Sequence, residues 1–193
     1  MTRWSDEVRA DAVRNRGLLL EVALDAFTHE KDVTLGAIAK KAGVGIGTLY
    51  RHFPTREALI EAVYRTELEK LCDAAPELLQ THEPEAALRE WMNRFIAYVA
   101  TKRDLKDALQ AVIALGINPF EHSRAKMTTA LHQLLTPLGA TAEPVDVLTM
   151  LIAVGQNGDA DQAKRMLNLI MDGILHGARN AAPRSAPPAP EPR

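Results

Sequence analysis

The sequence predicts an all-α fold, and three observations carry that prediction. Aromatic residues make up only 5% of the 193 residues, too few to furnish the strand faces of a β-sandwich. Only 11 glycines and 11 prolines punctuate the chain, leaving long stretches free for helices. Apolar residues recur at intervals of three and four, and no pair of alternating segments reads as two strands. With 47% hydrophobic and 25% charged residues, the composition is that of a globular chain with a buried core.

Each element can be justified in order. Residues 1–10 are polar and of mixed charge, lack the apolar run of a signal peptide, and are expected to form a flexible arm. Over residues 11–28, Leu19, Val22, Ala23, Ala26 and Phe27 fall on one helical stripe. Thr34 can cap a short helix reaching Ala42, and Gly43 follows where a left-handed residue ends helices. A second short helix covers about residues 46–53 and stops at Pro54. Thr55 then caps a connecting helix to about residue 74, with Glu57 in the turn where the dipole favours an anion. Further helices are expected over 84–101, 104–115, 121–135, 144–156 and 159–179. Pro84 suits a first helical position, and Asp159 with Gln162 resembles a capping box. Residues 182–193 are proline-rich, cannot bury apolar surface, and are expected to be disordered.

Residues 34–56, TLGAIAKKAGVGIGTLYRHFPTR, are the informative segment. Two short helices joined at Gly43 match a DNA-reading helix-turn-helix, with Ile38, Ala39, Val44, Leu49 and Phe53 as its small core. Gly47, Thr48, Tyr50, Arg51 and His52 remain for phosphates or base edges. The whole chain carries a formal charge of −2, which taken alone argues against a nucleic-acid partner. This segment contains Lys40, Lys41, Arg51 and Arg56 and no acidic residue, so on the local scale the charge favours such a partner. Arg14 and Arg16 could add phosphate contacts. Gly45 and Gly47 each cost about 1 kcal/mol relative to alanine inside a helix. They fit either a close approach of backbone to phosphate or a simple turn.

The segment 14–71, and above all GVGIGTLYRHFPTREAL over 43–59, resembles the DNA-binding domain of the TetR family of bacterial repressors. The resemblance covers about a third of the chain. It implies an all-helical homodimer whose N-terminal domain binds double-stranded DNA and whose C-terminal domain dimerises and binds a ligand. Ligand binding in that family spreads the recognition helices and releases a palindromic operator. Carried onto this chain, the resemblance puts Thr34 near a phosphate and Gly47, Thr48, Tyr50, Arg51 and His52 on the DNA face. It puts Arg56 near the backbone, and Lys41 joins this set on charge. Tyr50 and His52 could instead pack against the first helix of the motif. Gly36 is a departure: some members carry a base-reading arginine there, so any such contact must be lost or supplied elsewhere.

The domain reading is then an arm over 1–10, a DNA-binding domain over 11–55, a connecting helix over 56–74, an effector-binding and dimerisation domain over 75–181, and a tail over 182–193. Candidate pocket residues are Met92, Phe95, Ile96, Val99, Leu109, Ile113, Phe120, Met127, Leu131 and Leu134, with Gln110, Asn118, His122 and His132 as polar handles. They suggest a small, largely apolar effector, although plain core packing is the more common role for each apolar residue. Residues 145–154 are apolar nearly all round, and 159–179 carry small and apolar residues at helical spacing. Leu148, Leu151, Ile152, Met166, Ile170, Gly173, Ile174 and Gly177 are therefore candidates for a four-helix dimer interface, with an intrachain core as the alternative.

Rival functions find little support. Of three serines, none sits in a G-x-S-x-G setting, and GVGIG over 43–47 follows a helix and lacks the dinucleotide-loop spacing. The six histidines are scattered without a metal-binding pair, and the single cysteine, Cys72, can neither close an internal disulfide nor build a zinc site. No enzyme, metal or cofactor is expected. A reducing, cytoplasmic setting is expected, since the longest apolar stretches fall short of the roughly 18 residues that span a membrane. An activator, or a ligand-binding helical adaptor without operator specificity, is the alternative to a repressor.

Overall fold

The computed structural model describes residues 3–30, 32–120, 122–156 and 158–181. Among these residues every regular element is helical: α1 (Arg3–His29), α2 (Leu35–Lys41), α3 (Ile46–His52), α4 (Arg56–Thr81), α5 (Pro84–Asp104), α6 (Lys106–Ala114), α7 (Ser123–Leu135), α8 (Pro144–Gln156) and α9 (Ala160–Ala181), with one 3₁₀ turn at Thr136–Leu138. None of the helices is long and apolar enough to cross a membrane, among the described residues.

The caps follow local chemistry. Thr34 Oγ1 accepts from the Ala37 amide at 3.2 Å, and Thr55 Oγ1 accepts from the Ala58 amide at 3.1 Å. Asp159 Oδ1 accepts from the Gln162 amide at 2.9 Å and so starts α9. Gly43 takes φ +66°, as the turn between α2 and α3 requires.

Two boundaries differ from expectation. The expected arm over 1–10 is helical from Arg3, so α1 begins well before residue 11. Nothing between Arg3 and Arg16 breaks a helix, and extending an existing helix adds one hydrogen bond per residue fixed. The connecting helix does not end near 74 but runs through Pro76 to Thr81. Leu71, Ala74, Ala75 and Leu78 are buried at helical spacing along it, which offsets the hydrogen bond lost at the proline. The expected tail over 182–193 lies outside the described residues.

The chain packs as two compact units, one formed by the described residues of Met1–Asp73 with Ala97–Lys126, the other by those of Ala74–Ile96 with Met127–Arg193. These do not follow a single linear boundary near residue 75. In the first unit, α1, α2 and α3 pack on one another. A buried hydrogen-bonded chain ties later residues to α4: Tyr98 Oη donates to Tyr64 Oη at 2.7 Å, and Tyr64 Oη lies 3.1 Å from Ser123 Oγ. Phe120 stands edge-on to Tyr64 at 5.1 Å, and Lys102 Nζ lies 3.9 Å from the Phe120 centroid. That polar and aromatic cluster is why 97–126 joins the N-terminal residues. In the second unit α8 packs on α9, and Trp91, Met92, Leu88 and Leu131 are fully buried.

Candidate nucleic-acid interface

The reading head is built around two buried pairs. Ile38 and Ala39 of α2 and Leu49 and Phe53 at α3 are each at most 2% exposed, as their spacing implied, while Val44 is only half-buried. Burying Leu49 turns the opposite side of α3 outward. There Gly47, Tyr50 and Arg51 are exposed on one arc, with Tyr50 at 49%. Thr48 and His52 lie at its half-buried edge, and the His52 ring packs 6.1 Å from that of Phe53. Ile46, 46% exposed, completes the arc one turn before Tyr50. It is absent from the sequence candidates, although its spacing from Tyr50 would have found it. A Cβ at Gly47 would meet nothing within 4 Å.

The cations of the segment divide into two kinds. Lys41 is ion-paired to Glu30, and Arg56 donates to the Val33 carbonyl while its guanidinium lies 4.8 Å from the Phe27 centroid. Both were expected at phosphates; in the structure each has a partner within its own chain, because the turn after α1 brings a carboxylate and a carbonyl within their reach. Arg16 lies 4.9 Å over the Phe53 ring, and Arg14 pairs with Asp11 at 2.9 Å. Lys40 and Arg51 are exposed and have no charged partner among the described residues. Thr34 is exposed at the start of the helix that ends with Lys40 and Lys41, its hydroxyl oxygen engaged as the α2 cap.

The C-terminal candidates are dispersed. Met92, Phe95, Ile96, Met127, Leu131 and Leu134 belong to one packing unit, and Val99, Leu109, Gln110, Ile113 and Phe120 to the other. Gln110 and Ile113 are exposed on α6, away from its buried Leu109 and Val112, and so do not share an interior with them. The period of α6 puts them on its outer side. Asn118 and His122 do line a cavity of about 590 Å³, together with Glu61, Arg65, Leu68, Glu69, Ser123 and Lys126. Ile96 lines another of about 390 Å³ with Arg89, Asn93, Lys164, Leu167 and Asn168. His132 is exposed. Burial pushes the half-buried Cys72 thiol up to about 11, which keeps it protonated and unreactive at neutral pH. Burial likewise lowers the ordinary value of Lys102.

The dimer candidates also separate. Leu148 and Leu151 are 0% exposed and Ile174 4%, so they fill the chain's own core rather than a surface. Gly177 is likewise used internally, since a Cβ there would come 3.1 Å from Thr141 Oγ1. Ile152, Met166 and Ile170 are half-buried and Gly173 is exposed. Leu169, 71% exposed and absent from the sequence candidates, lies on the same side of α9 as Met166, Ile170 and Gly173.

A helix-turn-helix head with an exposed, acid-free reading helix, carried on a helical body, defines a DNA-binding regulatory protein. The family described as "Bacterial regulatory proteins, tetR family" matches residues 19–63, and "Transcriptional regulator SbtR-like, C-terminal domain" matches residues 83–176. The solved structure of the TetR transcriptional regulator SCO0520 from Streptomyces coelicolor is 42% identical, covers 82% of this chain and 97% of its own, and superposes with a TM-score of 0.74. A TetR transcription regulatory protein from Mycobacterium vanbaalenii is 32% identical, with 86% and 98% covered and a TM-score of 0.71. The HTH-type transcriptional regulator SAB2452 of Staphylococcus aureus is 38% identical over 63 residues, which take in 32% of this chain and 34% of that protein. The chain belongs to the TetR family, and it is a DNA-binding transcriptional regulator rather than an enzyme.

Proposed function

We propose that the protein is a dimeric repressor that leaves a palindromic operator when a small effector binds outside the reading head. The observation that carries most weight is the outward arc of Gly47, Tyr50 and Arg51 on α3. A seven-residue helix presents too few side chains to specify a long site alone, whereas two copies related by a twofold axis read two inverted half-sites. The Met166, Leu169, Ile170 and Gly173 side of α9, with Ile152 of α8, is the surface for that pairing: apolar residues stand there with their exposure unspent.

The cavity lined by Asn118 and His122 is within the size range of small-molecule sites. Its lining holds Arg65 paired with Glu61 and Lys126 paired with Glu69, so an effector with a polar group would bind beside these pairs or compete with them. The apolar residues Met92, Phe95, Met127 and Leu131 are buried in the other packing unit, where they serve as core.

Selection of bound duplexes from a random library with the full chain tests the proposal. Enrichment of inverted half-sites about one helical turn or a multiple apart is the expected result. A selected site placed across a promoter should silence it in cell-free transcription, and a small-molecule fraction of cell extract should relieve that silence. Enrichment of a single unpaired half-site, or activation of the promoter, would overturn the proposal.

A further inference from the structure

We infer that the cavity lined by Asn118 and Ser123 takes a small monocarboxylate, whose oxygens accept hydrogen bonds from the Ser123 hydroxyl and the Asn118 side-chain amide. The inference deepens, and rests on, the reading of that cavity as the effector site. It starts from Ser123, a polar residue of the cavity wall that is only 5% exposed. Its hydroxyl stands at the end of the chain in which Tyr98 Oη donates to Tyr64 Oη. A hydroxyl has a single proton to give. Tyr64 receives one from Tyr98, so its own proton needs another acceptor, and Ser123 Oγ lies 3.1 Å away. Were Ser123 the donor instead, the Tyr64 proton would be left buried and unpaired, a cost that turning the Ser123 hydroxyl removes. The chain therefore runs from Tyr98 through Tyr64 to Ser123. It ends on a serine proton with no acceptor among the described residues.

Asn118 repeats the pattern in the loop before α7. Its Oδ1 accepts from the Phe120 amide at 3.0 Å, which leaves the two protons of Nδ2 without a partner among the described residues. Two residues of one cavity thus each spend an acceptor on the protein itself and keep a donor for a ligand. Such a wall selects a group that accepts hydrogen bonds over one that can only donate them. The charges set the valence. Within the lining, Arg65 and Lys126 balance Glu61 and Glu69. Against the same cluster Lys102 Nζ lies 3.9 Å from the Phe120 centroid and 6.0 Å from that of Tyr64, with no ion-pair partner among the described residues. One unbalanced positive charge favours a monoanion, while the two glutamates disfavour a dianion such as a phosphate monoester. Leu68, Ile117 and Pro119 offer apolar contact to a short hydrocarbon body.

The test titrates the full chain by calorimetry with phenylacetate and with straight-chain monocarboxylates from butanoate to octanoate, each beside its matched primary amine. The carboxylates should bind and the amines should not. Asn118→Asp keeps the acceptor for the Phe120 amide and replaces the amide protons with a repelling charge. It should weaken carboxylate binding at least about tenfold at an unchanged melting temperature. Ser123→Ala should weaken binding about tenfold and also lower the melt, since it strands the Tyr64 proton. Binding should shift the near-ultraviolet absorption of tyrosine through Tyr64, and Tyr64→Phe should remove that shift. Equal binding of carboxylate and amine, no binding of any carboxylate, or full affinity in both Asn118→Asp and Ser123→Ala overturns the assignment. Affinity for the selected duplex is measured separately, with and without the bound carboxylate. An unaffected complex with DNA would overturn the effector reading and leave the carboxylate site standing, so the two failures are distinct.

Discussion

The guanidinium of Arg56 lies 4.8 Å from the ring centroid of Phe27, so the first turn of α4 rests on the last turns of α1. The same side chain donates to the Val33 carbonyl, just before α2. One residue thus ties the start of α4 to the end of α1 and to the segment before α2. Arg56→Ala removes a charge-assisted hydrogen bond and a cation–π contact, and should cost about 1–3 kcal/mol of stability. Urea unfolding checks this. A variant as stable as the unaltered protein would mean that the contact contributes nothing to the fold.

The Tyr98–Tyr64–Ser123 chain makes a second prediction. Tyr98→Phe removes one donor and should cost about 1 kcal/mol, while Tyr64→Phe breaks both links and should cost more. Burial raises the proton affinity of Tyr64 and Tyr98. A group that holds its proton more tightly when folded contributes stability that is complete below its unfolded value and fades above it. Stability should therefore fall as pH rises through 10.0, the ordinary tyrosine value. Ultraviolet titration should show these two phenols ionising only as the protein unfolds. If they ionise in the native protein at their ordinary value, the burial argument fails.

Two glycines of α9 should behave in different ways. A Cβ at Gly173 meets nothing in the chain, so Gly173→Ala should stabilise an isolated protomer by about 0.5–1 kcal/mol through helix propensity. At a helix crossing in a dimer the same methyl would hold two backbones apart and shift the equilibrium toward monomer. Gly177→Ala places its Cβ 3.1 Å from Thr141 Oγ1, which must yield by a few tenths of an ångström, so it should stabilise less than Gly173→Ala while leaving association alone. Sedimentation across a dilution series distinguishes the two. Unchanged association in Gly173→Ala would remove Gly173 from the proposed interface.

Gly47→Ala asks why a glycine stands in a reading helix. The added methyl has open space and should raise stability by up to about 1 kcal/mol. If the glycine serves a close approach to DNA, operator affinity should fall severalfold in this more stable protein. Undiminished affinity would return Gly47 to a role in the turn alone.

How much of this was legible in the sequence depends on how local the cause is. Thr34, Gly43, Thr55 and Asp159 act within a few residues, and the helix ends they define were read directly. The passage of α4 through Pro76 depends on burial of Leu71 and Leu78, which no local rule reports. The adjacent Lys40 and Lys41 are equivalent in composition; the difference between them is Glu30, eleven positions from Lys41 and brought near by the turn before α2. On α9, period alone finds two neighbouring apolar stripes. It cannot say that Ile174 goes to the chain's own core while Leu169 is left outside.

Thr34 carries a further consequence. A hydroxyl accepts through its lone pairs and donates through a single proton, and the cap of α2 uses only the former. That proton has no acceptor among the described residues, so one small side chain can hold the helix end together and still offer a donor to an approaching phosphate. Thr34→Asp keeps the acceptor, improves the match to the helix dipole, and replaces that donor with a repelling charge. A chain so altered should fold at least as well as before and bind DNA poorly. Folding and recognition, superimposed on one oxygen atom, would then come apart at a single codon.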